Sequence, residues 1–232
     1  MYIITDARQE VWHGLQEPGA YEWWYFDAED VENDLSLVVI WFAGFPFSPY
    51  YMQSYDHWKR HRASPGPLPE NYAGFSFQLY EKKRETLNFI REGGSGLFES
   101  SSGDIGVRFE NNRFVYNPLR DDYRLSIDFV FPSRNRRVRA ELTFRVIRRA
   151  SYEKQDTNGL GLQARHQWLL SVPRAEVCGY VDIAAEDGGG RRRIVLNARG
   201  YHDHNMGTMA MQEYIDRSEE HTSELQSLGR IS

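Results

Sequence analysis

Hydrophobic and polar positions alternate along most of this chain with a period of two. In "AGFSFQLY", Phe75, Phe77 and Leu79 fall on one side and Ser76, Gln78 and Tyr80 on the other. "DDYRLSIDFVFP" places Tyr123, Leu125, Ile127, Phe129 and Phe131 on one face, and "RRVRAELTFRVI" does the same with Val138, Ala140, Leu142, Phe144 and Val146. Successive residues of a strand point to opposite sides of a sheet, so these runs predict strands with one buried face. "YEWWYFDA" sends Trp23, Tyr25 and Asp27 one way and Glu22, Trp24 and Phe26 the other, which predicts a strand covered on both sides. "LSLVVIWFAG", "HQWLLSV", "RAEVCGYVDI" and "RRIVLNA" add further strands, separated by turn signals such as "ENN", "EGGSG" and "EDGGG". No segment sustains a 3.6-residue period. The pattern predicts an all-β protein, an antiparallel barrel or sandwich of about ten to twelve strands. "HWKRHRASPGPLPEN" (His57 to Asn71) breaks the rhythm and is expected to be a long loop, a lid or a surface excursion.

Composition narrows the function classes. The 232 residues are 41% hydrophobic and 14% aromatic, enough large rings to fill a wide core or line an apolar cavity. Net charge is −5 and the basic residues are scattered, with short clusters such as "KRHR" and "RNRRVR" but no continuous stripe, so no nucleic-acid partner is expected. Cys178 is the single cysteine, which excludes an intramolecular disulfide and a Cys-x-x-Cys metal site. No signal-peptide pattern opens the sequence and no apolar run approaches the ~18 residues of a membrane span. The expectation is a cytoplasmic protein, soluble or peripherally associated with a membrane. Residues Arg217 to Ser227, "RSEEHTSELQS", match one reading frame of a common sequencing-library adapter. Everything from Arg217 onward is therefore read as an assembly artefact, with the natural chain continuing past Asp216.

Candidate chemistry concentrates in "GYHDHNMGT". His202 and His204, two apart on a strand, share a face and could reach one metal ion, with His166 as a distant third ligand. Tyr201, Asp203 and Asn205 share the opposite face. A carboxyl against an apolar cavity keeps its proton through desolvation and can serve as a general acid; the same residues can also simply cap a turn before Gly207. Alternation from Ile194, Leu196 and Ala198 carries the apolar face onto the histidines, so Asp203 would face inward only if a bulge at Gly200 reset the phase. In "RHQWLL", His166 and Trp168 share a predicted face with Leu170 and Val172; a tryptophan there packs in a core or offers its π-face to a cation. No nucleophile elbow, P-loop or dinucleotide fingerprint occurs.

In order, "YEWWYFDA", "FSPYY", "PENYAGFSFQLY", "HQW" and "GYHDHN" resemble the carotenoid 1,2-hydratase (hydroxyneurosporene synthase) family and its wider AttH-like relatives, over residues 18 to 210 or so. The resemblance implies two consecutive lipocalin-like β domains: the first at 1–199, the start of a second at 200–216, and the artefactual tail at 217–232. It implies that His166 with Trp168, and Tyr201 with Asp203, are catalytic, and that Trp24, Tyr50, Tyr51 and Asn205 contact substrate. The implied reaction is hydration of an isolated C=C bond in a carotenoid or similar polyene, with no cofactor. Asp203 would protonate the bond, Trp168 would stabilise the cation, and Tyr201 and His166 would position the water or take its proton. The implied partners are a small apolar substrate and the absent second domain. Carotenoid-active members tend to lack histidines matching His202 and His204; the "GYHDHN" form typifies the broader branch, where Trp is usual in place of Met206. The same branch reaches lipocalin-like pericyclases and non-catalytic carriers of lipophilic ligands, and these stand as alternatives.

Overall fold

The alternating runs do form strands. The computed structural model describes residues 2–4, 7–61, 65–131, 135–150, 166–185 and 190–213. Its strands are β1 (Tyr2–Ile4), β2 (Tyr21–Asp30), β3 (Leu35–Ala43), β4 (Ala73–Glu81), β5 (Arg84–Gly93) and β6 (Phe98–Ser100), then β7 (Gly106–Phe109), β8 (Asn112–Asn117), β9 (Asp122–Phe131), β10 (Arg136–Arg148), β11 (Gln167–Ala185) and β12 (Arg191–Gly207). They make one curled sheet in the order β5-β4-β3-β2-β12-β11-β10-β9-β8-β7-β6, every neighbour antiparallel, while β1 runs parallel to β11. The late strand β12 inserts beside the early strand β2, and that pairing joins the two halves of the molecule.

Curling turns one face of the sheet inward. Trp24, Phe26, Trp41, Phe75, Phe114, Tyr123 and Phe144 are all fully buried there. The halves meet across this interior: Phe89 on β5 stacks on Phe129 of β9 at 4.1 Å, and the Trp41 indole N–H donates to the Asn112 carbonyl at 3.0 Å. Each such ring contributes on the order of 1.5–3 kcal/mol through burial. The predicted inward faces of β9 and β10 are the observed ones, except that their terminal members, Phe131 and Val146, are only partly buried.

Two expectations need correction. A helix, α1 (Pro49–His61), occupies the start of the expected loop. Its start signal is local: Ser48 Oγ accepts from the Tyr51 N–H at 3.2 Å, and proline fills the first helical position. Basic residues Lys59, Arg60 and His61 close it. Its buried side is only Tyr51 and Tyr55, too narrow a stripe to read as a helical period. The longest described helix is this one, and none is long and apolar enough to cross a membrane.

The second correction concerns Gly200. β12 pairs with β2 without interruption from Arg199 to Gly207, so there is no bulge at Gly200. The glycine answers a packing need instead: a Cβ there would lie 2.4 Å from Val177 Cγ2 and 2.8 Å from Phe144. The bulges sit across from it on β11, between Leu169 and Val172 and between Val172 and Ala175. Pro173, which has no N–H for the ladder, falls in the second. Each bulge inserts one residue, so Trp168 pairs with Asn205 but Val172 pairs with His202, and the two are on opposite faces rather than the same one.

Residues 200–207, where the start of a second domain is expected, continue β12 and are part of this sheet. Residues 217–232 lie outside the described residues.

Candidate active site

Strand alternation divides the β2–β12 pair into two polar clusters, one on each face. On the inner face His202 lies opposite Phe26 and His204 opposite Trp24, and each imidazole stacks on its partner, at 3.8 and 4.6 Å between centroids. His202 Nδ1 donates to the Tyr25 carbonyl at 2.8 Å, and Nε2 meets the Glu10 carboxylate, which also accepts from the Tyr123 hydroxyl at 2.8 Å. His204 Nε2 bonds Glu22 at 2.9 Å, and Glu22 bonds His13 Nδ1 at the same distance. Both glutamates are buried. Desolvation raises their carboxyls, but the adjoining imidazoles outweigh it and hold both below the ordinary carboxylate range.

The expected pairing of His202, His204 and His166 around one ion does not form. His202 and His204 each engage a different glutamate, and His166 is on the other face. Among the described residues, the group whose donor atoms come together is His13, Glu22 and His204, all within 4.8 Å of one another.

On the outer face Asp203 lies opposite Tyr25, Tyr201 opposite Asp27, and Asn205 between Trp23 and Trp168. Asp203 is 9% exposed. Its Oδ2 accepts the Tyr201 hydroxyl at 2.5 Å and the Trp168 indole N–H at 2.9 Å, and its Oδ1 accepts the Asn205 amide at 2.8 Å. Desolvation raises its carboxyl, against the opposing pull of Tyr201, Trp168 and the charges of His202 and His204, and the net shift is upward. His166 accepts the Tyr21 hydroxyl on Nδ1 at 2.7 Å and bonds the Asn205 side chain, so it reaches Asp203 only through Asn205. Burial pushes its imidazole down to about 4, which keeps it neutral at pH 7.

The structure thus brings together Asp203, Tyr201, Trp168, His166 and Asn205. It separates the others. Trp24 points into the core, fully buried, its N–H on the Glu10 carbonyl at 3.1 Å, so it faces away from Asp203 because it lies one residue out of phase with Tyr25. Tyr51 is buried in α1, its hydroxyl donating to the Ala20 carbonyl at 2.7 Å and accepting the Gly19 N–H at 3.0 Å; Tyr50 beside it is 69% exposed. Neither shares a described hydrogen bond or ring contact with the Asp203 cluster. A cleft of about 590 Å³ between Glu81, Leu87, Arg136, Ile183 and Arg192 is lined by none of the candidate residues, so pocket volume and acid chemistry point to different places; the chemistry is the more specific guide.

Sequence reasoning passed over Asp27 and Tyr25 on the outer face, and Glu10, Glu22 and His13 on the inner one. A signal for the first pair was present: "YFD" at 25–27 repeats the Tyr-x-Asp of "YHD" at 201–203. The N-terminal partners carried none, because Glu10 and His13 reach the histidines only through long-range closure.

No family model matches the chain. It is 56% identical over 217 residues to a hydroxyneurosporene dehydrogenase of Chlorobaculum tepidum, covering 94% of this chain and 57% of that protein. It is 30% identical over 198 residues to an acyclic carotenoid 1,2-hydratase of Thiocapsa roseopersicina, covering 84% of this chain and 42% of that one. The chain thus spans about half the length of the curated relatives it matches. Among solved structures, a putative AttH from Nitrosomonas europaea aligns over 90% of this chain and 56% of its own with a TM-score of 0.52 at 15% identity. CghA with Sch210972 aligns over 83% and 47% with a TM-score of 0.51 at 14% identity. At those identities the likeness speaks for the fold alone. By sequence and by fold together, the chain is a relative of the carotenoid 1,2-hydratase and hydroxyneurosporene enzymes, built on an AttH-like, lipocalin-type sheet.

Proposed function

We propose that the whole protein containing this chain adds water to an isolated C=C bond of a carotenoid or related apolar isoprenoid, without a cofactor, using Asp203 as general acid. The observation that carries this reading is a nearly buried carboxyl surrounded by neutral donors, with its affinity for a proton raised. Oδ2 already accepts two hydrogen bonds and Oδ1 only one, so the transferable proton belongs on Oδ1. Its delivery to the alkene leaves a carbocation and an Asp203 carboxylate held by Tyr201, Trp168 and Asn205. The bond from Trp168 to Asp203 fixes the indole beside the acid, where its π-face stabilises the cation. Tyr201, its hydroxyl pushed far up by burial, stays neutral and holds the carboxylate. His166 orients Asn205. The names of the hydratases at about 30% identity support the reaction class. The remaining half of the relatives' length would supply a second β domain that covers this outer face and keeps bulk water from the cation. The substrate is apolar enough to require delivery from a membrane surface.

The test is the full reading frame, expressed and given an acyclic carotenoid in detergent or vesicles. The expected product has gained one water, and Asp203→Asn removes the activity without unfolding the protein. Equal rates for the parent and Asp203→Asn exclude the acid assignment. A second reading follows from the dehydrogenase name of the 56% relative: oxidation of a hydroxylated carotenoid by an added two-electron acceptor, whose product would instead have lost two hydrogens to that acceptor. Binding of carotenoid with no change in its mass would leave a carrier.

A further inference from the structure

The outer face of β2 and β12 carries the same three-residue unit twice. Tyr25-Phe26-Asp27 and Tyr201-His202-Asp203 run antiparallel, so the tyrosine of each lies directly opposite the aspartate of the other. In each unit the tyrosine bonds the aspartate two residues on: Tyr201 to Asp203 at 2.5 Å, and Tyr25 to Asp27. The Tyr25 and Tyr201 rings meet edge to face at 6.1 Å between them. Two carboxyls, each with its own tyrosine, thus form a square of four side chains on one face.

Hydration needs two proton movements: one onto carbon and one off the adding water. The roles assigned above cover only the first. His166 is ill suited to the second, since one ring nitrogen accepts from Tyr21 and the imidazole also bonds Asn205. Tyr201 is a donor to Asp203 and stays protonated. Asp27 is only partly buried and accepts a side-chain bond from Tyr25.

We infer that Asp27 is the second proton-exchanging carboxyl of the site, the base that takes the proton of the adding water and returns it to Asp203. This rests on the hydratase reading. The balance closes without an oxidant or co-reactant. Asp203 gives its proton to one alkene carbon as the π bond breaks. The water oxygen bonds the other carbon, and a water proton passes to Asp27. That proton then returns to Asp203 through Tyr201, opposite Asp27, which passes its own hydroxyl proton to Oδ2 and takes the one held by Asp27, and a half-turn of the carboxyl brings the proton back to the Oδ1 position.

The charged surroundings suit such a group. Desolvation pushes Asp27 up to about 6, and Asp203 on β12 and Glu29 on its own strand push the same way, while the Tyr25 bond opposes them. Tyr201 faces it from β12, Val38 is its partner on β3, and Tyr80 on β4 acts on Tyr25. A carboxyl of this kind is close to half ionised in mildly acidic solution, as a base that must also release its proton requires.

Two measurements decide the matter. In the full-length enzyme, Asp27→Asn should lower kcat by about 10- to 100-fold with KM little changed. It should remove the acidic limb of the pH–rate profile, and Asp27→Glu should restore part of both. An active parent whose Asp27→Asn variant keeps its rate within about twofold, with the same limb, overturns the inference; a parent inactive on every polyene tried overturns the hydratase reading instead. The second measurement needs no activity. With 13C-labelled aspartate, the Asp27 carboxyl should titrate near 6 in the parent, and the Asp203 carboxyl should titrate lower in Asp27→Asn than in the parent, because the negative charge of the ionised base has gone. Tyr201→Phe, which keeps both carboxyls but removes the bridge, should leave the Asp27 titration raised while lowering kcat. An Asp203 titration unmoved by Asp27→Asn shows uncoupled carboxyls and also overturns the inference.

Discussion

On the inner face of β2 and β12 each buried histidine meets its own glutamate, whereas on the outer face Asp203 and Asp27 meet neutral hydroxyl, indole and amide donors. All four carboxyls are desolvated, and in all four desolvation is the largest influence, acting upward. The outcome differs in sign. Inside, the imidazoles reverse the shift and fix Glu10 and Glu22 as acceptors. Outside, tyrosine and tryptophan soften it but leave both carboxyls with a raised affinity for a proton. One face therefore locks the N-terminal segment and β12 into the sheet, and the other keeps protons available for transfer. The partner decides, since charge within hydrogen-bond reach outweighs burial and neutral donors do not.

The strongest way to break this contrast is to remove one acid from each face. Asp203→Asn in the full-length enzyme should cost about 10²- to 10⁴-fold in hydration rate, with the melting temperature unchanged or raised, read from product formation and thermal unfolding. Glu10→Ala should do the reverse, destabilising the fold by about 3–5 kcal/mol in denaturant titration, because it strands His202 without its carboxylate in the core. Loss of activity with full stability in the second variant would abolish the distinction between the faces.

Smaller effects sharpen it. His166 has its proton affinity lowered from 6.5 to about 4, so below pH 6.5 the unfolded chain binds a proton that the native state refuses. Stability from this residue should therefore fall as pH drops from about 6.5 to 4, by on the order of 1–3 kcal/mol, and His166→Gln should flatten that slope. Tyr201→Phe removes one donor from Asp203 and should cost about 1 kcal/mol in unfolding free energy while raising the pH at which Asp203 ionises. The unfolding cost is a calorimetric measurement, and the ionisation shift is visible in the aspartate carboxyl resonance.

Much of this was legible in the chain. Period-two runs identify the strands and even the buried face of β9 and β10, because the pleat maps sequence parity directly onto side. Parity also separates Tyr201, Asp203 and Asn205 from His202 and His204. It failed at β11, where one inserted residue reverses the sides beyond Leu169, a second restores them from Ala175 on, and composition gives no warning of either. It failed at α1 as well, whose Ser48–Pro49 start is a true helix signal but whose buried stripe is two tyrosines wide.

What the sequence determined by itself is the class of the fold, the pairing of each tyrosine with the aspartate two residues on, and the opposition of acid and histidine faces. All three depend only on the local geometry of an extended strand. Tertiary structure alone decided which face is inside, which glutamates answer which histidines, and that the two Tyr-x-Asp units, 176 residues apart, lie side by side. Those facts depend on β12 closing against β2, a long-range pairing that the sheet's curl selects and no local pattern encodes.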